Sequence, residues 1–187
     1  GDEARYNPAD FESLLDHFAK HDPRWDRIPE ADRLRTDERY FEVFIAKHRD
    51  KVVRKLQGLP FEGHLPNDDV LLLHEAEEMI EAADAVAVQP CDCRRLGQRC
   101  SKLIDVCIGL GDAARYLIER DGLPALTKEQ GLEVLREAHR KGLMHTGDSS
   151  WRENGLYYIC NCCSCDCYPF RAGRVLDSKG VWPTNRH

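Results

Sequence analysis

The chain has 187 residues, of which 42% are hydrophobic and 32% are charged. This balance is typical of a globular protein and excludes a disordered tail. The formal net charge of -6 argues against a general nucleic-acid binder, because such proteins present a basic surface. No apolar run approaches the ~20 residues that a membrane-spanning helix needs, so we expect no membrane span.

The first 59 residues are predicted to be helical. Asn7 is a candidate N-cap, and apolar residues follow it at the spacing of one helix face; they are Phe11, Leu14, Leu15 and Phe18. A connector rich in proline and charge covers residues 22–35. Thr36 then begins a predicted second helix, which ends at Gly58 and Pro60.

The stretch from Pro60 to Pro66 is a predicted domain boundary. It separates a helical N-terminal region, residues 1–59, from a cysteine-rich domain, residues 60–187. Proline and glycine interrupt regular structure here, which is typical of a connection between units.

Three further helices are predicted in the cysteine-rich domain. One runs from Asn67 to about Ala83. A second begins at Ser101, because several side chains form a stripe at helical spacing; they are Leu103, Cys107, Leu110, Ala114 and Leu117. Thr127 and Gln130 match the capping box of a third helix, which stops at Gly142.

Two short strands are predicted, at residues 85–89 and 156–159. Cys91 lies at the end of the first strand and Cys160 at the end of the second. If the strands pair side by side, their ends bring the two cysteine groups together. The predicted fold is therefore mainly α with a small β-strand pair, an α+β class, with a cysteine-ligated metal site at the strand ends.

Nine cysteines fall into two groups, and none occurs in the first 90 residues. The first group is Cys91, Cys93, Cys100 and Cys107. The second group is Cys160, Cys162, Cys163, Cys165 and Cys167. A disulfide framework would spread its bridges through a small secreted domain, whereas clustered thiols favour metal in a reducing compartment. We therefore treat all nine as candidate metal ligands and expect a cytoplasmic location.

The density of thiols favours iron–sulfur over zinc. A cubane takes four thiolates, so these cysteines can hold one or two 4Fe-4S clusters. Structural zinc sites tend to use two separated CxxC pairs, whereas the second group has overlapping CxxC spacings and the first has none. A structural zinc or iron module is the alternative.

Cys100 and Cys107 raise a question of geometry. On one helix they would lie about 10.5 Å apart, which is too far for neighbouring corners of a cubane. Either Cys100 lies in a loop and folds back, or the two residues serve different clusters. The alternative for Cys107 is a buried core thiol.

Residues 85–170 resemble the cysteine-rich 4Fe-4S binding proteins of anaerobes. The resemblance rests on Cys91-Asp-Cys93-Arg94, on Cys100 and Cys107, on the stretch that ends Gly142-Leu-Met-His145, and on Ile159-Cys-Asn-Cys-Cys-Ser-Cys165. It implies a cluster protein of anaerobic metabolism. In that family a ferredoxin domain often follows, which this sequence does not contain. The family also often has cysteine where this sequence has Asp166.

Several other residues are candidates for a role at the cluster. A local basic patch would stabilise an anionic cluster and raise its reduction potential; it consists of Arg94, Arg95, Arg99 and Lys102. The alternatives are a solvated loop, or a site for a small anionic ligand near Arg94 and Arg95. His145 is either a non-cysteine ligand or proton donor, or a residue of a helix end.

The leading functional prediction is electron transfer from an iron–sulfur cluster to a redox partner protein or cofactor. The alternative is an enzyme, in which one cluster iron lacks a thiolate and binds a small anionic substrate. Asp166 interrupts the run of cysteines where such an opening could arise, because carboxylate is a weaker ligand than thiolate for this iron.

Overall fold

A computed structural model describes residues 10–63, 65–147, 151, 155 and 158–178. The predicted N-cap Asn7 lies outside these residues. The helices are α1 (Phe11–His21), α2 (Glu30–Leu56), α3 (Leu73–Ala82), α4 (Asp92–Gly97), α5 (Asp112–Asp121), α6 (Lys128–Arg140) and α7 (Tyr168–Val175), with a short 3-10 helix at Trp25–Arg27. The strands are β1 (Asp69–Leu71), β2 (Val86–Pro90), β3 (Asp105–Leu110), β4 (Met144–Gly147) and β5 (Tyr158–Cys162).

The five strands form one antiparallel sheet in the order β1-β4-β5-β3-β2. The α+β class is as predicted, but the small strand pair is wrong. The two predicted strands correspond to β2 and β5, and β3 lies between them. Residues 156–157 of the second predicted strand lie outside the described part of the chain.

The strand β3 replaces the first half of a predicted helix. Val106, Ile108 and Leu110 point to one side, while Cys107 and Gly109 point to the other, and all of them are buried. A short run that is buried on both faces has no alternation of apolar and polar residues. Periodicity therefore cannot distinguish it from a helix.

Two other helix starts differ from the prediction. Asn67 adopts a left-handed conformation with φ of 54°, and β1 follows it, so α3 begins only at Leu73. Thr36 lies inside α2, which begins directly after Pro29, and its hydroxyl donates a hydrogen bond to the carbonyl of Asp32. Proline fixes an extended entry to the helix, and this signal outweighs the candidate cap at Thr36.

The predicted capping box at the start of α6 is confirmed. The Thr127 hydroxyl accepts a hydrogen bond from the backbone N–H of Gln130, and the Gln130 side chain accepts one from the backbone N–H of Thr127. Both otherwise unpaired donors of the first turn are thereby satisfied.

Helices cover both faces of the sheet. Val86, Ile108 and Ile159 pack with α3 and α6, and we call this side the α6 face. Ala87, on the opposite side, packs against Ala114 of α5, and we call that side the α5 face. Successive residues of a strand alternate between these faces, so each strand sends every second side chain toward α5.

The two N-terminal helices pack on α4 and α7 through one apolar cluster. Trp25 and Tyr40 meet Leu96 of α4 and Tyr168 of α7 there, and the Tyr40 and Tyr168 rings stack at 4.8 Å. The N-terminal region thus contacts the cysteine-bearing part closely, while the division at residue 59 stays a prediction. Among the described helices, none is both long and apolar enough to cross a membrane.

Asp37 of α2 joins this region to the cysteine-bearing part. Its carboxylate has no exposed surface and accepts a hydrogen bond of 2.7 Å from the Tyr168 hydroxyl. It also forms ion pairs with Arg99 at 2.6 Å and with Arg171 at 3.0 Å. A buried carboxylate of this kind is tolerated because its partners compensate for the lost hydration.

We expect Asp37→Ala to destabilise the protein by about 3–5 kcal/mol, because it leaves two arginines without their buried partner. At this chain length that is a fall in Tm on the order of 10 °C, measurable by circular dichroism. The control is Glu42→Ala on the same helix, whose exposed carboxylate pairs with exposed Arg39. It should leave Tm nearly unchanged, and equal effects of the two changes would contradict the role of Asp37.

Candidate metal centre

Three of the candidate cysteines lie on the α5 face of the sheet. Ile108 pairs with Ile159 in the ladder between β3 and β5, so the neighbouring pair is Cys107 and Cys160. Cys162 lies two residues further along β5 and therefore on the same face. The Thr146 hydroxyl of β4 lies 3.3 Å from the Cys162 sulfur on this side.

Three more cysteines come from the starts of two helices. Cys91 follows β2 and precedes α4, Cys93 lies in the first turn of α4, and Cys167 is the N-cap residue of α7. The backbone N–H of Cys91 donates a hydrogen bond of 2.8 Å to the carbonyl of Ile104, which fixes the beginning of α4 beside β3.

These six thiols line one cavity, and the pKa of each is shifted by interaction with two of the others. In order round the ring they are Cys91, Cys107, Cys160, Cys162, Cys167 and Cys93. We call this set the thiol ring. It lines a cavity of about 140 Å³, whose other walls include the rings of Tyr40, Phe44 and Tyr168.

The pKa shifts differ round the thiol ring. Interactions with Cys107 and Cys93 lower the pKa of Cys91, and interactions with Cys160 and Cys167 likewise lower the pKa of Cys162. Neighbouring thiols and burial raise the pKa of Cys160. Burial and the Cys91 thiolate raise the pKa of Asp92, whose carboxyl group also lines the cavity.

Arg94 supplies a buried positive charge at this cavity. Only 1% of the residue is exposed, and its Nη1 donates a hydrogen bond of 2.9 Å to the carbonyl of Asn161. Its Nε and Nη2 atoms are buried without a hydrogen-bond partner among the described residues. Burial opposes the charged form, but electrostatic interactions with Cys91 and Cys107 outweigh it and raise the Arg94 pKa. A buried guanidinium with unused N–H groups fits an anionic occupant of the cavity.

A second, smaller group lies on the other side of β5. Cys163 follows Cys162 directly and so points to the α6 face, where its sulfur is 3.8 Å from that of Cys100. A carboxylate oxygen of buried Asp166 lies 3.3 Å from the Cys100 sulfur and 3.9 Å from the Cys163 sulfur. We call these three residues the Cys100 group. Cys165 is exposed and belongs to neither set.

The structure places Cys100, Cys107 and Asp166, whose positions relative to one another the sequence left open. Cys100 lies in the loop after α4 and Cys107 on β3, in different groups. Asp166 does not line the cavity of the thiol ring. It accepts a hydrogen bond from the backbone N–H of Arg99, whose guanidinium lies 3.7 Å away.

The predicted basic patch does not form one surface. Arg94 is buried at the cavity, whereas Arg95 bonds the carbonyl of Ala19 and pairs with Asp26 on another side of α4. Arg99 pairs with Asp37 and Asp166. Lys102 bonds the carbonyl of Lys141. The four cations thus serve separate contacts, and only Arg94 lines the cavity.

His145 supports the site from the α6 face. Its Nδ1 atom lies 2.6 Å from the side-chain oxygen of Asn161, and its Nε2 atom lies 3.1 Å from exposed His139. Burial lowers the His145 pKa. The backbone carbonyl of Asn161 accepts the hydrogen bond from Arg94, and the Asn161 side chain contacts His145. His145 therefore helps to position the residue of β5 that binds Arg94. It does not itself line the cavity.

Sequence reasoning missed Asn161, Tyr40 and the division of the second cysteine group. The signal for the division was present: in a strand, Cys160 and Cys162 share a face, while Cys163 faces the other way. Tyr40 lies far from the cysteines in sequence, and no local pattern points to it.

Six thiols around one cavity are suited to a polynuclear site, since a single zinc ion takes four ligands in a tetrahedron. Comparison of the chain with protein-family models, with curated proteins and with solved structures finds no match.

Proposed function

We propose that the thiol ring holds an iron–sulfur cluster and that the protein transfers single electrons to a redox partner. One observation carries the proposal: six thiols and the buried residue Arg94 line the same small cavity. The cluster would supply one-electron chemistry, and the ring cysteines would be its ligands.

The ligand count supports one cluster in this cavity. A 4Fe-4S cubane would use four of the six thiols and leave two as hydrogen-bond donors to sulfur, whereas a larger cluster would use all six. The Cys100 group offers two thiols and one carboxylate, which is fewer than a second cubane needs. This arrangement favours one cluster over two.

Charge and hydration support an anionic cluster. Thiolate-ligated clusters carry net negative charge, and Arg94 has two buried nitrogen atoms, Nε and Nη2, without a hydrogen-bond partner among the described residues that could donate to such an anion. Tyr40, Phe44 and Tyr168 keep water from one side of the cavity, and burial of this kind tunes the reduction potential.

The size of the cavity favours electron transfer over catalysis. A volume of about 140 Å³ is below the range of about 300–1,000 Å³ typical of pockets for drug-sized ligands, so a cluster in this cavity would leave no room for a substrate of that size. In addition, Asp166, the residue expected at an open iron, lies outside the ring. An electron needs no such space, so a carrier is the better match. The proposal agrees with the resemblance of residues 85–170 to cysteine-rich 4Fe-4S binding proteins. We also propose a cytoplasmic location, because thiols stay reduced in that compartment.

The test is anaerobic purification followed by analysis for iron, acid-labile sulfide and zinc, with EPR of the reduced protein. We expect brown protein with iron and sulfide in nearly equal amounts, and about four iron atoms or more in each chain. A signal that small anions do not alter would support the carrier. Stoichiometric zinc without sulfide would overturn the proposal.

A further inference from the structure

A second set of metal-ligating side chains lies away from the thiol ring. His17 and His21 are four residues apart on α1 and therefore share one face of the helix. Their rings are 4.9 Å apart between centroids. Asp121, the last residue of α5, faces both of them, and only 6% of its side chain is exposed.

The distances within this set are too long for hydrogen bonds. His17 Nδ1 lies 3.7 Å from one Asp121 carboxylate oxygen, and His21 Nε2 lies 3.8 Å from the other. Among the described residues, the buried His21 Nε2 and Asp121 Oδ1 atoms have no hydrogen-bond partner. Three polar groups therefore converge on one point without bonding each other, although buried polar groups are normally satisfied.

The nitrogen–oxygen separations between the two histidines and Asp121 are close to those of ligand atoms bound to one metal ion. Zinc–nitrogen and zinc–oxygen bonds of about 2.0–2.2 Å at tetrahedral angles place the two ligand atoms about 3.4 Å apart. The observed nitrogen–oxygen separations exceed this value by a few tenths of an ångström, and they run to the two different oxygens of Asp121. One ligand atom from each of the three residues lies within 4.8 Å of the others, so small side-chain rotations can bring all three onto one ion. The geometry points to a site for one divalent transition-metal ion, held by His17, His21 and Asp121.

A simple histidine–aspartate ion pair fits less well. Such a pair would bring nitrogen and oxygen within hydrogen-bond distance, and neither pair here reaches it. Burial also disfavours the protonated form of His21 and lowers its pKa despite the attraction of Asp121. Neutral imidazole is the form that binds metal.

The ion keeps at least one coordination position open. Three protein ligands leave a fourth tetrahedral position for water or a small ligand, as in catalytic zinc sites. A cavity of about 460 Å³ adjoins the site, lined by His17 and Asp121 and by Ser13, Asp16, Lys20 and Tyr116. His17 is the most accessible ligand, because 61% of its side chain is exposed. A metal-bound ligand can therefore reach solvent through this cavity.

The site lies close to the thiol ring. Asp16, in the wall of the larger cavity, accepts a hydrogen bond of 3.0 Å from the hydroxyl of Tyr40, whose ring lines the thiol cavity. One hydrogen bond thus joins the walls of the two cavities. The ion also connects α1 with α5, so it links the N-terminal helices to the sheet.

The test compares zinc bound by four anaerobically purified proteins: the wild type, His17→Ala, Asp121→Asn and the control His74→Ala. His74 is an exposed histidine on α3, away from this set. Each protein is equilibrated with buffered Zn²⁺, freed of excess, and analysed for zinc, iron and sulfide. Any zinc bound by the thiol ring should be the same in all four proteins. It therefore cancels when the zinc content of one protein is subtracted from that of another.

We expect the wild type and His74→Ala to retain one zinc per chain more than the other two variants, with equal iron and sulfide in all four. Equal zinc in all four proteins would overturn the inference. Absorption spectra with Co²⁺ in place of Zn²⁺ offer a second measurement. Co²⁺ bound at this site should add d–d absorption without the charge-transfer band that thiolate ligands give. His17→Ala should lack this added absorption. A thiolate band in the added absorption would also overturn the inference.

Discussion

Cys107→Ser and Cys162→Ser should each abolish most cluster incorporation, whereas Cys165→Ser should leave it unchanged. The first two residues lie on the neighbouring strands β3 and β5 and line the same cavity, and serine oxygen is a poor substitute for thiolate as a ligand of iron–sulfur clusters. Cys165 is exposed and belongs to neither thiol group, so it is a matched control within the same sequence motif. The measurement is iron and sulfide per chain after anaerobic purification.

Loss of the cluster should also destabilise the fold, because ligands from distant segments meet only in the folded state. Losing even about 5 kcal/mol of binding energy would lower Tm by about 10–20 °C at this chain length. Cys100→Ser separates the two thiol groups: it should reduce the iron content far less than Cys107→Ser. Equal loss of iron from Cys165→Ser and Cys107→Ser would show that the ring is not the cluster site.

Arg94→Met should lower the reduction potential of the cluster by on the order of 100 mV. Methionine keeps much of the length of the side chain and removes its charge. At an effective dielectric constant of ~20, a unit charge ~8 Å away contributes about 2 kcal/mol, and for one electron this corresponds to ~90 mV. The sign follows because a nearby cation stabilises the reduced, more negative cluster. The measurement is a redox titration followed by EPR.

Arg95→Met is the control, since Arg95 is next in sequence but pairs with Asp26 away from the cavity. It should leave the potential nearly unchanged. If Arg94→Met loses the cluster entirely, Arg94→Lys, which retains the charge, should restore part of the iron content. Equal shifts from the two methionine variants would contradict the specific role of Arg94.

The sequence predicts which cysteines come together better than it predicts the fold that brings them together. Clustering of thiols is visible along the chain, and all six ring cysteines were among the candidates. The sheet was underestimated because β1 and β4 are short and carry no clear alternation, and because β3 is buried on both faces. Those strands form through tertiary pairing that no local pattern encodes.

The ring geometry also depended on pairing between distant segments. Cys107 and Cys160 become neighbours only through the register of β3 and β5. The sequence places Arg94 in a charged patch, but its burial and its hydrogen bond to the backbone carbonyl of Asn161 arise only when α4 meets β5 in the folded protein. The pair His17 and His21 has a helical ligand spacing, yet its third member, Asp121, lies on another helix.

The thiol ring has a consequence for the order of events in biosynthesis. Its members come from the start of α4, from β3 and β5, and from the start of α7, so the six thiols come together only after the sheet has formed. On the proposed function, translation and sheet assembly therefore precede delivery of the cluster. During that interval six adjacent reduced thiols are vulnerable to oxidative cross-linking, because thiolates attack and pair most readily when they are close together. If the ring holds a cluster as proposed, we expect its assembly to be the step most sensitive to oxygen.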